Sequence, residues 1–500
     1  MYYPSLKEFL ELSNRGNIIP VYKEISADLD TPVSAFLKIK KDDYAFLLES
    51  VEGQEKIARY SFLGTKPSLV FKSKGKNIEM IYPAKNTSRR FVTCKTPLDE
   101  IKAIMKDFKT VDIKGLPRFY GGLVGYIGYD MVRFFEDIPD KNPDDLKLPD
   151  SVLVLTDTIL VFDHVNHTIK IVSNTILPGA NTRISKINKE KIYRAAVKKI
   201  ESIHQDLIKS VSNKEMDNLQ KMINPDSMGG VVSNYNKSEF CSIVKKAKDY
   251  IKKGDIIQAV LSQRFKKKIG KAPFDIYRNL RGLNPSPYMF FLKLKNVTLI
   301  GSSPEMLVRC EEGRVETRPI AGTRGRGKTE KEDKKLEQEL LNSTKEKAEH
   351  IMLVDLGRND LGRVCQSGTV DVSEFMSVER YSHVMHLVTE VRGSLDKKYD
   401  VYDVLRACFP AGTVTGSPKI RAMEIIDELE NVRRGPYAGC IGYLSFSHNL
   451  DTCITIRTII IKDNLAYIQA GAGIVADSIP QKEYLESVNK AKALIEAITN

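Results

Sequence analysis

Most of the chain alternates apolar and polar residues over short runs, and a smaller part carries the three- and four-residue spacing of helices. Residues 45–50, Ala-Phe-Leu-Leu-Glu-Ser, read as a buried strand ending on a charge, with 59–64 as its hairpin partner. Residues 152–162 and 168–172 predict a second strand pair about a turn at 164–167, and 186–211 a lysine-rich amphipathic helix. The Gly-rich run 120–129 lacks the Lys-Ser/Thr ending of a phosphate loop, so close backbone packing explains it better. Periodicity fails over 213–236, where a linker is expected between an N-terminal region (1–212) and a second domain (237–500). Beyond it, 237–253 reads as a helix stopped by Gly254, 255–265 as a strand, and 288–294 with 297–302 as a hairpin. Residues 437–446, 452–461 and 465–470 alternate as strands. Ser417-Pro418, an N-cap followed by proline, and Ser478-Ile479-Pro480 open two further helices.

One helix stands apart. Ser343 and Glu346 form a capping box, and from Ala348 to Leu361 apolar residues fall on every side of the wheel, which predicts a buried helix. Yet Glu349, His350, Asp355, Arg358 and Asp360 lie inside it. Asp355 and Arg358 can pair locally, whereas Glu349 has no such mate. Either an internal salt-bridge network or a metal ion across a cavity would satisfy it. On the last helix, Val488, Ala491, Ile495 and Ile498 form the docking stripe, leaving Glu483, Glu486 and Lys490 on a face that could meet Glu349. Mg²⁺ takes a few carboxylates and keeps positions for substrate and water, which suits Glu349 and Glu486, each preceded one turn earlier by another glutamate (Glu346, Glu483). His383 and His386 lack the spacing of a zinc motif. Arg457 on a strand, a Gly471-Ala472-Gly473 turn with free N–H groups, and Gly322-Thr323-Arg324 would complete a pocket for a small molecule with more than one carboxylate.

At 500 residues the chain exceeds one ordinary core, so two domains or one large double-layered body is expected. Its 42% hydrophobic and 28% charged residues are those of a soluble globular protein. No apolar run is long enough for a bilayer, and the first residues show no signal-peptide pattern. Seven scattered cysteines without C-x-x-C spacing point to reduced thiols in a cytoplasm. The formal charge of +13 comes mostly from lysines interleaved with acids, a solvated surface rather than a nucleic-acid footprint. Such a field would favour a small anionic substrate; neither a nucleic acid nor a membrane is expected as partner.

Several motifs then occur in one order: Pro319-Ile-Ala-Gly-Thr-Arg324, Glu349 through Asp360, His386-Leu387, Pro410 through Lys419, Gly435 through Gly442, Asp451 through Arg457, Gln469 through Gly473, and Glu486-Ser-Val-Asn-Lys490. The series, from about residue 45 to the C-terminus, closely resembles the chorismate-utilising enzymes, and among them the branch that makes anthranilate. The resemblance implies an α+β fold of four layers (α/β/β/α), two packed antiparallel sheets flanked by helices. It implies Mg²⁺ on Glu349 and Glu486, and substrate held by Tyr437, Arg457, Gly471, Ala472 and Gly473, with Gly322 and Thr323 closing the pocket. His386 and Thr413 would stand beside the ring, His386 for acid/base work, with Lys419 a further contact. Chorismate and ammonia would give anthranilate and pyruvate, the ammonia arriving from glutamine through a separate amidotransferase subunit. The alternative within the family, aminodeoxychorismate formation, goes with a lysine where this chain has Ala321, and water-using relatives carry a lysine near the position of Gln258. Cys440 superficially suits a glutaminase nucleophile, but no His-x-Glu follows it. Finally, Leu47 through Ser50 and Asn284 through Met289 resemble the family's tryptophan feedback site. That likeness implies Glu49 and Ser50 on the amino acid, Pro287, Tyr288 and Met289 around the indole, and Cys453 nearby. The chain itself contains no tryptophan.

Overall fold

The computed structural model of the chain describes residues 1–40, 42–50, 59–178, 184–209, 230–381 and 384–499. Among them, the alternating runs assemble into two sheets of 12 strands each. The first sheet runs, in spatial order, Ile18–Ser26, Thr168–Ile176, Thr158–Asp163, Tyr60–Thr65, Tyr44–Glu49, Tyr288–Leu294, Val297–Ser303, Thr458–Lys462, Leu465–Ile474, Gln258–Lys268 and Val232–Ser233. The second runs Ile320–Gly325, Val384–Ser394, Arg314–Thr317, Met306–Glu311, Leu450–Ile454, Cys440–Ser445, Gly122–Ile127, Ser151–Thr156, Leu69–Lys74, Asn77–Tyr82 and Thr87–Val92. Gly416–Ser417 and Asp371–Arg380 are attached at their sides, and every pairing between named strands is antiparallel.

Alternation then decides which side of a strand faces what. In Tyr44–Glu49, Ala45 and Leu47 face helices, sharing a core with Phe36, Tyr277 and Ile495, while Tyr44 and Phe46 pack between the sheets against Val70, Tyr126 and Val154. The outer face of the second sheet is covered by helices Pro97–Lys106 and Val401–Cys408 through Leu98, Ile101, Val404 and Leu405. Four layers result, as the resemblance implied.

Two predicted runs turn out to be two elements each, because the chain passes from one sheet to the other in mid-run. Residues 152–162 divide at Asp157, with Ser151–Thr156 in the second sheet and Thr158–Asp163 in the first. Residues 452–461 divide at 455–457, so Arg457 lies in a crossover and not on a strand. The strand Val297–Ser303 likewise hands over to Met306–Glu311 through Pro304 and Glu305. Such a passage costs no apolar residue, so periodicity alone does not mark it.

Both sheets take strands from either side of residues 213–236; of that predicted linker only 230–236 lie among the described residues, with Val232 and Ser233 paired to Lys266 and Phe265. Helix Thr344–Gly362 begins at the Ser343 cap but is not buried all round. His350, Leu353, Val354 and Leu361 face inward, whereas Ile351 is 45% exposed and the Asp355–Arg358 pair lies in solvent. Ser417 does not cap helix Lys419–Leu429, because it is paired with Gln258 and Pro418 takes the cap position. No helix among the described residues is long and apolar enough to cross a membrane.

Candidate active site

A cavity of about 740 Å³ opens where the crossovers meet the helix layers, and all of its lining residues lie at or beyond Gln258. One wall is the end of strand Leu465–Ile474. Gly471 and Gly473, paired with Ser262 and Val260, line the cavity without side chains, so the predicted turn is in fact strand. Ala472 faces the opposite way, fully buried among Ala259, Leu261 and Ile474, and does not line the cavity. The Gly471 carbonyl accepts from Lys490 Nζ at 3.0 Å instead of crossing the ladder. Since N–H and C=O of a strand residue point the same way, its N–H also faces the open edge.

Facing this wall, helix Thr344–Gly362 contributes Glu346 and Glu349, and helix Pro480–Thr499 contributes Glu483, Glu486 and Lys490. Gly322 and Thr323 come from Ile320–Gly325, and His386 sits opposite Thr323 in the register of the neighbouring strand. Thr413, Tyr437 and Arg457 complete the set. Lys419 does not join it. Its Nζ donates to both carboxylate oxygens of Asp360 at 2.9 and 2.8 Å, which spends its charge in a partly buried ion pair. His383 lies outside the described residues.

Burial has sorted the ionisable groups. The His386 Nδ1 lies 3.0 Å from the Gly322 carbonyl, and a carbonyl only accepts, so Nδ1 carries the proton and Nε2 keeps a free lone pair. Burial pushes its pKa down, keeping the ring neutral. Glu305, 7% exposed and lining the same cavity, goes the other way: burial raises its carboxyl to about 8, so near neutrality it holds its proton. Sequence reading missed Glu305, although a carboxylate between Ser302-Ser303-Pro304 and the apolar run after it was a visible anomaly. Burial likewise raises Glu349, with the negative charges of Glu346 and Glu486 adding to it, and raises Glu483. Arg457 donates to the Lys490 carbonyl at 3.1 Å, and among the described residues no carboxylate pairs with it. A half-buried guanidinium without a counter-ion, beside clustered acids that burial has driven toward neutrality, suits an anion and a cation bound together.

A buried ion pair fastens these walls to one another. Arg434 and Glu430 are 2% and 5% exposed and meet at 2.7 Å. Arg434 also donates to the Val414 and Val260 carbonyls at 2.7 Å each, while Glu430 accepts from the N–H and hydroxyl of Ser262. The guanidinium further lies 5.5 Å from the Tyr437 ring centroid. Gln258 and Ala321 both line the cavity; Gln258 donates to Glu349 at 3.2 Å, and its Oε1 has no partner among the described residues. Cys440 is buried, and its thiol is pushed up to about 12, so it is no nucleophile.

A second cavity of about 60 Å³ lies elsewhere, between the sheets, lined by Glu49, Ser50, Pro287, Tyr288, Met289 and Cys453 together with Arg118 and Tyr443. Strand pairing sets Glu49 opposite Met289.

Fold and cavity together define an enzyme with its pocket where the strand crossovers meet the helix layers. The chain belongs to the chorismate binding enzyme family, which residues 44–496 match. It is 52% identical to the anthranilate synthase component 1 of Acetivibrio thermocellus over 100% of this chain and 99% of that protein. It is 50% identical to that of Aquifex aeolicus over 99% and 97%. Among solved structures, anthranilate synthase component I from Streptococcus pneumoniae superposes with a TM-score of 0.76 at 37% identity, covering 94% of this chain and 99% of that one. The menaquinone-specific isochorismate synthase of Escherichia coli, 20% identical with a TM-score of 0.66 and covering 99% of both chains, shares the fold.

Replacing Glu430 by Gln leaves the Arg434 charge buried and uncompensated, which is expected to cost about 3–5 kcal/mol. A lowered urea midpoint checks this; an unchanged midpoint would show the pair to be dispensable.

Proposed function

We propose that the chain converts chorismate and ammonia to anthranilate and pyruvate, with ammonia supplied from glutamine by a separate amidotransferase subunit. The observation that carries this reading is the opposed protonation of two groups in one cavity, a neutral His386 and a protonated Glu305, beside the unpaired Arg457. Arg457, Tyr437 and the Gly471 N–H hold the substrate's carboxylates, and Gly322 and Thr323 close over it. Ammonia adds through its lone pair at C2, and the Gln258 Oε1 can accept one of its N–H bonds. The ring double bonds shift, the C4–O bond breaks, and Glu305 gives its proton to the departing hydroxyl, releasing water. The added nitrogen, cationic after the attack, gives its extra proton to water, leaving aminodeoxyisochorismate. The Nε2 of His386 then takes the C2 proton as the C3–O bond breaks, the ring turns aromatic, and the enolpyruvate released takes a proton from water at its methylene carbon to become pyruvate. Thr413 lines the same cavity as Glu305 and stands beside the ring.

The donor chemistry of the cavity fits Mg²⁺. Glu349 and Glu486, with Glu346 and Glu483 behind them, supply hard oxygen ligands from two helices to one cavity, close enough that the charges of Glu346 and Glu486 add to the rise at Glu349. Bound there, Mg²⁺ would neutralise the ring carboxylate and act as a Lewis acid. Aminodeoxychorismate formation is disfavoured, because Ala321 offers no amine to attack the ring. The chemistry then lies wholly within 237–500, and residues 1–212 contribute Glu49 and Ser50 to a regulatory cavity for tryptophan. There Glu49 meets the ammonium group, and Pro287, Tyr288 and Met289 pack the indole beside Cys453. A cytoplasmic setting follows from the reaction.

Incubated with chorismate, an ammonium salt and Mg²⁺, the purified chain is expected to release anthranilate, identified by mass and fluorescence. Glutamine should not replace the ammonium salt, and a chelator should stop turnover. Aminodeoxychorismate as product, or glutamine-dependent turnover by the chain alone, contradicts the proposal.

Glu305 supplies a second test. Its proton is present below its raised pKa of about 8 and is lost above it, so kcat/KM should fall on the alkaline side of about pH 8. Glu305→Gln should lower kcat by about 10²–10⁴-fold and abolish that alkaline limb while chorismate KM stays within a few-fold. A variant keeping most of the wild-type kcat removes Glu305 from proton donation.

A further inference from the structure

The carboxylate of Glu49 is already engaged by its own chain. It is 5% exposed and accepts from the hydroxyl of Tyr277 and from Arg281, whose Nε lies 3.2 Å and Nη2 3.5 Å from its two oxygens. Both donors sit on helix Pro273–Leu283, which covers the outer face of the first sheet. On the other side is the second cavity, of about 60 Å³. Around it the Ser50 hydroxyl, the Tyr443 hydroxyl and the Arg118 Nε are buried and have no partner among the described residues. These groups are suited to a ligand with both polar and aromatic parts, but the carboxylate that would meet its ammonium group holds an internal cation.

We infer that Arg281 is a built-in competitor for Glu49: an amino-acid inhibitor must displace its guanidinium to seat an ammonium group there, and that displacement moves the helix carrying it. The inference rests on the tryptophan reading of this cavity and adds how the site is regulated. Two cations on one buried carboxylate repel each other, and Arg281, 37% exposed, has solvent to move into, whereas the ligand does not. The consequence reaches the catalytic cavity through packed helices. Tyr277 and Leu280 share a core with Leu494, Ile495 and Ile498 of Pro480–Thr499, and Asn279 Nδ2 donates to the Ala497 carbonyl at 3.2 Å. That second helix presents Glu483, Glu486 and Lys490 to the cavity. Both sites therefore act on one pair of packed helices, the physical requirement for coupling.

The test is tryptophan inhibition of ammonium-dependent turnover in the wild type, Arg281→Met and Arg281→Lys. Removing the competing charge should lower the half-inhibiting tryptophan concentration by about fivefold or more in Arg281→Met, with uninhibited activity within about twofold of wild type. Arg281→Lys keeps the charge and should stay near the wild type. Tyr277→Phe, which removes the neutral donor, should shift the concentration the same way by less. An unchanged or raised half-inhibiting concentration in Arg281→Met overturns the inference, since it would make Arg281 idle or part of the inhibitor's own grip. A wild type indifferent to millimolar tryptophan removes the underlying reading instead, and is told apart because no variant is needed to see it.

Discussion

Three hydrogen bonds between two crossovers hold the catalytic cavity in shape. The Ser302 N–H donates to the Arg457 carbonyl at 3.1 Å, the Ile454 N–H to the Glu305 carbonyl at 3.0 Å, and the Ser303 hydroxyl to the Ile454 carbonyl at 2.7 Å. Each crossover leaves one sheet and enters the other, so its residues are released from strand alternation. Glu305 and Arg457 point where a ladder residue could not, into the gap between sheets and helices. Arg457 takes up a left-handed φ of 50° to do so, a cost that an arginine bears only where the surroundings hold it.

The chemistry follows from what burial does to charge at that place. Removal from water raises the Glu305 carboxyl and lowers the His386 imidazole, so a protonated carboxyl and a neutral imidazole coexist near neutral pH. The Gly322 carbonyl fixes which nitrogen of His386 is free. Arg434 escapes the same penalty because Glu430 and two backbone carbonyls satisfy it, and this lets it tie the strand of Val260 and Ser262 to the segments of Val414 and Tyr437. One arginine is paired and structural, the other unpaired and open to a ligand; their neighbours, not their type, make the difference.

Periodicity and capping identified most elements, because helices such as Lys237–Lys253 and hairpins such as Tyr288–Leu294 with Val297–Ser303 are local patterns with local causes. The ordered motifs identified the four-layer architecture and brought Glu349, Glu486, His386, Thr413, Tyr437 and Arg457 to one cavity. What they could not show was where an apolar run changes sheets, as at Asp157, Glu305 and Arg457, since both halves of such a run are equally buried. Glu305 was lost for that reason. Lys419 and Ala472 failed for a different one: a motif names neighbours in sequence, whereas pleating turns Ala472 away and Asp360 captures Lys419.

The most direct measurement is a crystal structure of the Glu305→Gln variant with chorismate and Mg²⁺ bound. The expected result places the ion between Glu349 and Glu486 on the ring carboxylate, the Arg457 guanidinium on the other carboxylate, and the residue 305 side chain within hydrogen-bonding distance of the C4 oxygen. Substrate seated with neither crossover residue in reach would contradict the assignment.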